Sequence, residues 1–263
     1  MAQKTYNIYP SLLDRVQSYI DSDSLYEKYW GMSDQPTKQL DQFRAEQRQA
    51  VLDMINRVPH PPIMAACCGT AFNELVDCLQ EIRPSYMEGL KLGRDGETYT
   101  AALDGFQFRY GREFVDEAAA AYAGCVNQDF LEYTIDIDGH AVRLYGYADK
   151  WTPQHCIDLK TVCSYTWGKY GKGWQRYVYP LALRQSRGVI VESFRYDVFE
   201  WEGSLKPDQL EGKVLNATYY CEEYPLDYAM LEATLADYLR YNVIPLLEVM
   251  RPEITNAKIF GDE

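Results

Sequence analysis

The chain has 263 residues, 47% of them hydrophobic, enough to bury one sizeable core. No run of 18 or more apolar residues occurs, so no membrane-spanning helix is expected, and the opening MAQKTYNIYPS lacks an apolar signal region, which points to the cytoplasm. A net charge of −13 argues at face value against nucleic acid, and seven cysteines (Cys67, Cys68, Cys78, Cys125, Cys156, Cys163, Cys221) without C-x-x-C spacing argue against disulfides or a zinc site.

Residues 10–30 carry Leu12, Leu13, Val16, Tyr19 and Ile20 at helical spacing, with Ser11 as an N-cap. The polar GMSDQPTKQ separates this from a second helix at about 38–57, whose apolar positions Phe43, Val51, Leu52 and Ile55 are sparse, and VPHPP ends it. Residues 63–82 read as a buried helix with the stripe Ala66, Phe72, Leu75, Val76 and Leu79, and Gly69 permits close packing. Asn73 and Glu74 interrupt that apolar stretch; taken alone, the pair reads as a helix edge facing water. Residues 83–112, rich in Gly, Tyr and charge, read as a loop or short hairpin insert, and 113–124 as a helix ending at Gly124.

The most informative stretch is 131–179. Alternating runs Tyr133–Ile137 and Ala141–Tyr147 flank Asp138-Gly139, a β-hairpin pattern whose second strand delivers Asp149. The next run, residues 155–160, places Asp158 and Lys160 two apart, hence on one face of a strand, with Asp149 on the neighbouring strand. Two acids and a lysine at the mouth of a sheet form a hard, oxygen-rich metal site with a cation beside it, suited to metal-assisted hydrolysis of a phosphodiester. Residues 173–186 read as a helix with Gln175 and Tyr179 on one face, in which Pro180 would introduce a kink or start a new helix. From Leu159 to Val191 there is no Asp or Glu, whereas Lys160, Lys169, Lys172, Arg176, Arg184 and Arg187 fall there, a local basic run that favours phosphate binding despite the acidic total. Residues 187–201 alternate as a strand, 204–216 read as mostly loop, and 225–250 as a long amphipathic helix interrupted at Pro245. The order implies one α/β domain, with a mixed central sheet in a core at 63–201 and helical decorations at 1–62 and 202–263.

A D-x-K triplet alone arises by chance roughly once in a chain of this length. The joint pattern is more specific: GYAD (146–149), DLKT (158–161) and QRYVY (175–179), with GTAFNE (69–74) upstream. In these motifs, over about residues 63–200, the chain resembles the PD-(D/E)XK nuclease superfamily in its RecB-like exonuclease branch. The resemblance implies a restriction-endonuclease-like fold and hydrolysis of DNA with Mg²⁺ or Mn²⁺. Asp149, Asp158 and the Leu159 carbonyl would be metal ligands, and Lys160 would stabilise developing charge. Gln175 and Tyr179 would line the DNA-facing side, and Lys169, Lys172 and Arg176 would hold the backbone. Where the family often has a ligating histidine, this sequence has Asn73, with Glu74 adjacent; successive helical residues diverge by about 100°, so the two are alternatives. Some relatives hold an iron–sulfur cluster through three C-terminal cysteines; here Cys221 is the only cysteine after Cys163, so no cluster is expected. The competing readings are a non-catalytic DNA- or protein-binding module on the same fold, and an endonuclease acting on flaps, junctions or RNA.

Overall fold

A computed structural model describes residues 4–261. Its centre is a mixed sheet of nine strands: β1 Thr5–Ile8, β2 Lys91–Asp95, β3 Thr98–Leu103, β4 Phe106–Gly111, β5 Val126–Ile137, β6 His140–Trp151, β7 His155–Val162, β8 Ser193–Lys206 and β9 Glu211–Pro225. They lie in the order β1-β6-β7-β8-β9-β4-β3-β2, with β5 on the other edge of β6. The protein is therefore α/β with a mixed central sheet flanked by helices.

The helices are α1 Pro10–Ile20, α2 Ser22–Trp30, α3 Leu40–Ile55, α4 Met64–Glu81, α5 Arg112–Ala121, α6 Gln175–Arg187, α7 Tyr228–Tyr238 and α8 Ile244–Met250. They build two cores, one on each face of the sheet. The larger joins α1, α3, α6, α7 and α8 to β1, β5 and β6 through Leu12, Val51, Leu183, Leu235 and Leu247 against Ile8, Leu131 and Leu144. The smaller packs Phe72 and Leu75 of α4 and Val115 of α5 against Phe108, Ile157, Leu159 and Phe199. None of the helices among the described residues is long and apolar enough to cross a membrane.

The hairpin forms where Asp138-Gly139 requires it: both residues take positive φ (54° and 81°), the left-handed geometry that matches the twist of the flanking strands. Four expectations are corrected. Residues 10–30 form two helices that meet at Asp21. Ala66 lies exposed, and Cys67, Cys68 and Ala71 take its place on the buried face of α4. Residues 83–112 contribute three strands rather than one insert, because alternating Ala101/Leu103 and Phe108/Tyr110 bury one face on α4 and α5. Residues 204–216 are mainly strand: β8 runs through Lys206, and β9 begins at Glu211, parallel to β4 with Gln107 beside Glu211. The C-terminal helix does break near Pro245, which lacks an amide proton, and a single π-turn at Leu239–Val243 absorbs the change.

Candidate active site

The site arises from a fork in the sheet. One edge of β6 pairs with β5 except at Asp149; the other pairs with β1 over Ala141–Leu144 and with β7 only at Lys150 and Trp151. Between these contacts, residues 145–149 have no ladder partner on that edge. Carrying the β6–β7 register one step further sets Asp149 opposite Asp158, and the Leu159 amide donates to Asp149 Oδ2 at 3.0 Å. A side chain thus satisfies a backbone donor that the splayed strands leave behind. N–H and C=O of one residue point to the same edge of a strand, so the Leu159 carbonyl faces the same gap.

Strand β6 is irregular here. Residues two apart should share a face, yet Ala148 packs into the larger core while Lys150 turns to Asp77 on α4. The change of face occurs at Asp149, opposite Gln128, whose φ is +47°. Gly146 has its own reason: a Cβ there would lie 3.0 Å from Tyr179 Oη and 3.2 Å from its ring, so the glycine makes room for the buried phenol.

On β7, Asp158 and Lys160 share a face as the spacing requires, and Lys160 Nζ lies 2.5 Å from Asp158 Oδ2. Gln175, at the start of α6, donates from Nε2 to Asp158 Oδ1 at 2.6 Å and accepts from Lys160 Nζ at 3.1 Å. Burial first, then the charge of Asp158, pushes Asp149 up to about 7, against Lys160 and the Leu159 amide. Asp158 is raised by burial, with Lys160 and Gln175 opposing. Burial works against the Lys160 ammonium, but Asp158 and Asp149 outweigh it and lift its pKa. Burial, and next the two aspartates, hold Tyr179 protonated well above the usual phenol range.

Five expected residues therefore come together: Asp149, Asp158, Lys160, Gln175 and Tyr179, with the Leu159 backbone between the two acids. Asn73 and Glu74 do not join them through any hydrogen bond among the described residues. Glu74 is buried, not facing water, and accepts from Arg83 Nη1 at 2.8 Å and from the Tyr86 amide at 3.3 Å. Asn73 lies half-buried, its Oδ1 enclosed without a hydrogen-bond partner. Gly69 lets α4 settle on β7, since a Cβ would stand 2.4 Å from Thr161 Oγ1. In the basic run, Lys169 and Lys172 are exposed, but Arg184 pairs with Glu232 and Arg187 with Asp129, and Arg176 lies between the rings of Tyr177 and Tyr224. Trp174 is core, stacked on Tyr238 at 4.0 Å, whereas Trp167 is exposed.

Two neighbours of the site escaped the sequence reading. Asp14 of α1 accepts from the Trp174 amide at 2.9 Å, setting a carboxylate at the N-terminus of α6, and its pKa is raised by burial first, with Lys160 opposing and Asp158 reinforcing. The signal was an acid beside the apolar stripe of Leu12, Leu13 and Val16. Tyr170, in the loop between β7 and α6, presents its ring 5.8 Å from Lys160 Nζ; one tyrosine among 23 gave no signal.

Chemically, the site offers a buried carboxylate, Asp158, and a half-buried one, Asp149, facing each other with one lysine, an all-oxygen donor set that carries excess negative charge. Burial is the main reason both acids are raised, and a hard divalent cation beside them would favour their ionised forms. Among the described residues no group of three or more His, Cys, Asp or Glu is placed to hold a metal, so further ligands would have to be the Leu159 carbonyl, water or substrate.

No family model matches the chain, and no curated protein matches it. A solved structure described as "Crystal structure of SSO0001" is similar at a TM-score of 0.34 and 14% identity, over 91% of this chain and 77% of that one. So remote a likeness carries no functional weight.

Proposed function

We propose that the protein is a metal-dependent deoxyribonuclease of the PD-(D/E)XK type, acting as an exonuclease in DNA recombination or repair and encoded by a phage or mobile element. The observation that carries this reading is the Asp149–Asp158–Lys160 constellation in the fork of the sheet, braced by Gln175. Asp149, Asp158 and the Leu159 carbonyl would hold Mg²⁺ or Mn²⁺, which when bound supplies a more acidic water and Lewis-acid polarisation of the phosphate. Lys160 contributes a fixed positive charge where negative charge builds on the phosphate, and burial strengthens that interaction. Gln175 keeps the lysine and Asp158 in register, so that neither swings into water. Tyr179 stays protonated and serves as a hydrogen-bond donor. Lys169 and Lys172 are free to meet phosphates without reading sequence.

The test is degradation of end-labelled linear DNA and covalently closed circles with Mg²⁺, Mn²⁺ or EDTA. Metal-dependent loss of the linear form alone, abolished by Lys160→Ala and Asp149→Ala, is the expected result. Cutting of circles would make the protein an endonuclease. A second reading, a nuclease fold kept as a binding module, draws on the engagement of Glu74 by Arg83, which leaves two carboxylates at the site; binding without cleavage in either metal would establish it.

A further inference from the structure

A cleft of about 750 Å³ lies away from the aspartates, on the outer part of the sheet where β2, β3 and β4 meet the far ends of β8 and β9. Of the sixteen residues that line it, four are cations (Lys91, Arg109, Lys206, Lys213) and one, Glu211, is an acid. Across the chain, acids outnumber bases 39 to 26, so this surface reverses the molecule's charge. Lys91, Lys206 and Lys213 are exposed and have no ion-pair partner among the described residues; Arg109 pairs with Asp95 at 2.9 Å.

The cleft shares a face of the sheet with the candidate active site. In β7–β8 pairing, Asp158 stands beside Tyr196 and Lys160 beside Val198. Counting by twos along β8 from these residues reaches Ser204 and Lys206, and the extra residue of the bulge at Glu202/Gly203 lies in β9, so the alternation of β8 is unbroken. Arg109 pairs with Lys213, and Lys206 with Glu211, so the cations of β4, β8 and β9 stand together on that face. Between the two regions sits only the start of the loop 163–174, where Tyr165 packs on Tyr220 of β9 at 4.8 Å; the part with the exposed Lys169 and Lys172 lies over Tyr196, Glu222 and Tyr224, beside the aspartates. Val198 to Lys206 spans about 26 Å at a strand's ~3.3 Å per residue, the length of roughly 8 base pairs.

We infer that this cleft is a docking surface for the phosphate backbone of the nucleic acid whose end lies at Asp149 and Asp158, a reading that rests on the proposed nuclease function for the identity of the substrate. Charge reversal selects a polyanion, and the shared face of the sheet selects one long enough to reach both regions. Polar, unreactive lining (Thr98, Thr100, Ser204) suits backbone contact without sequence readout.

The test compares wild type with Lys91→Gln/Lys206→Gln/Lys213→Gln, three exposed positions, with circular-dichroism melts to show that the fold is unchanged. Binding of a fluorescent duplex of about 20 base pairs is titrated in EDTA over a range of salt concentrations; the slope of log K against log[salt] should become shallower by about 3, close to one per lysine. End cleavage in Mg²⁺ should lose kcat/KM on hairpin stems of about 20 base pairs and keep it on stems of about 6, which cannot reach Lys206. An unchanged slope overturns the inference, even if the wild type proves to be an active nuclease. A slope that depends on the lysines in a protein that cuts nothing retains the surface and removes the nuclease. Lysine-dependent binding of polyglutamate but not of DNA overturns the inference in favour of an acidic protein partner.

Discussion

Gln175 holds Asp158 through a 2.6 Å hydrogen bond from Nε2, and the same amide accepts from Lys160 at 3.1 Å. One neutral side chain thus fixes both the acid and the cation of the D-x-K strand. Gln175→Leu strips both bonds while keeping volume, at a stability cost of about 1–3 kcal/mol. If the site is catalytic, kcat should fall at least tenfold while KM changes little, because the amide orients groups rather than binding substrate. Steady-state kinetics decide this; a change confined to KM would make Gln175 a substrate contact instead.

Burial raises Asp149 and its neighbour Asp158, and Asp149 should contribute to the pH response of stability. Its pKa of about 7 in the fold lies above that of an unfolded carboxylate. Between about pH 4 and pH 7 the native state therefore keeps a proton that the unfolded chain has released, and stability falls as pH rises through this window. Above about pH 7 the loss is complete. Asp149→Asn should remove much of this slope and melt at higher temperature than wild type at pH 8 in EDTA. Melting curves from about pH 4 to pH 9 test it, and parallel wild-type and variant profiles would show that Asp149 is not the group responsible.

Lys150 and Asp77 form an ion pair in which both side chains are almost wholly buried. Lys150 also donates to Asn127 Oδ1 at 2.9 Å and lies over the Tyr122 ring at 4.9 Å. Asp77→Ala leaves the ammonium enclosed without its counter-charge and should cost about 3–5 kcal/mol. Asp77→Leu/Lys150→Met, which removes both charges, should recover most of that loss in urea denaturation. A double variant no more stable than the single would mean that the neighbouring polar groups need the ammonium.

Gly146→Ala pushes a methyl group against Tyr179 in a packed interior, which should cost about 1–3 kcal/mol. Adding Tyr179→Phe takes away the nearest atom, the Oη at 3.0 Å, and should return part of the loss. Equal destabilisation by the single and double changes would place the strain elsewhere.

What could be read from the sequence was what the chain specifies over short distances. The hairpin turn at Asp138-Gly139, the shared face of Asp158 and Lys160, and the position of Gln175 at a helix start each depend on a few adjacent residues. Residues 204–216 form strand because Glu211–Val214 is held on both sides, by Gly203–Lys206 across a short turn and by the distant parallel Gln107–Tyr110, and no periodicity announces the second neighbour. Glu74 was misplaced for a similar reason: Arg83, beyond the helix end, turns back to it and makes its burial tolerable. Asp14 became visible only once α1 packed against the start of α6.

The fork in the sheet also bears on how the chain folds. Strand Thr5–Ile8 lies parallel to β6, with Thr5 beside Ala141, 136 positions later. During synthesis this segment leaves the ribosome long before its partner exists, whereas the β5–β6 hairpin can close on itself at once. Closing so long a loop costs entropy before any contact rewards it, so docking of the first strand belongs late in folding. Until then Ala141–Leu144 of β6 keep unpaired backbone groups on that edge, a stretch open to pairing with neighbouring chains until the first strand covers it.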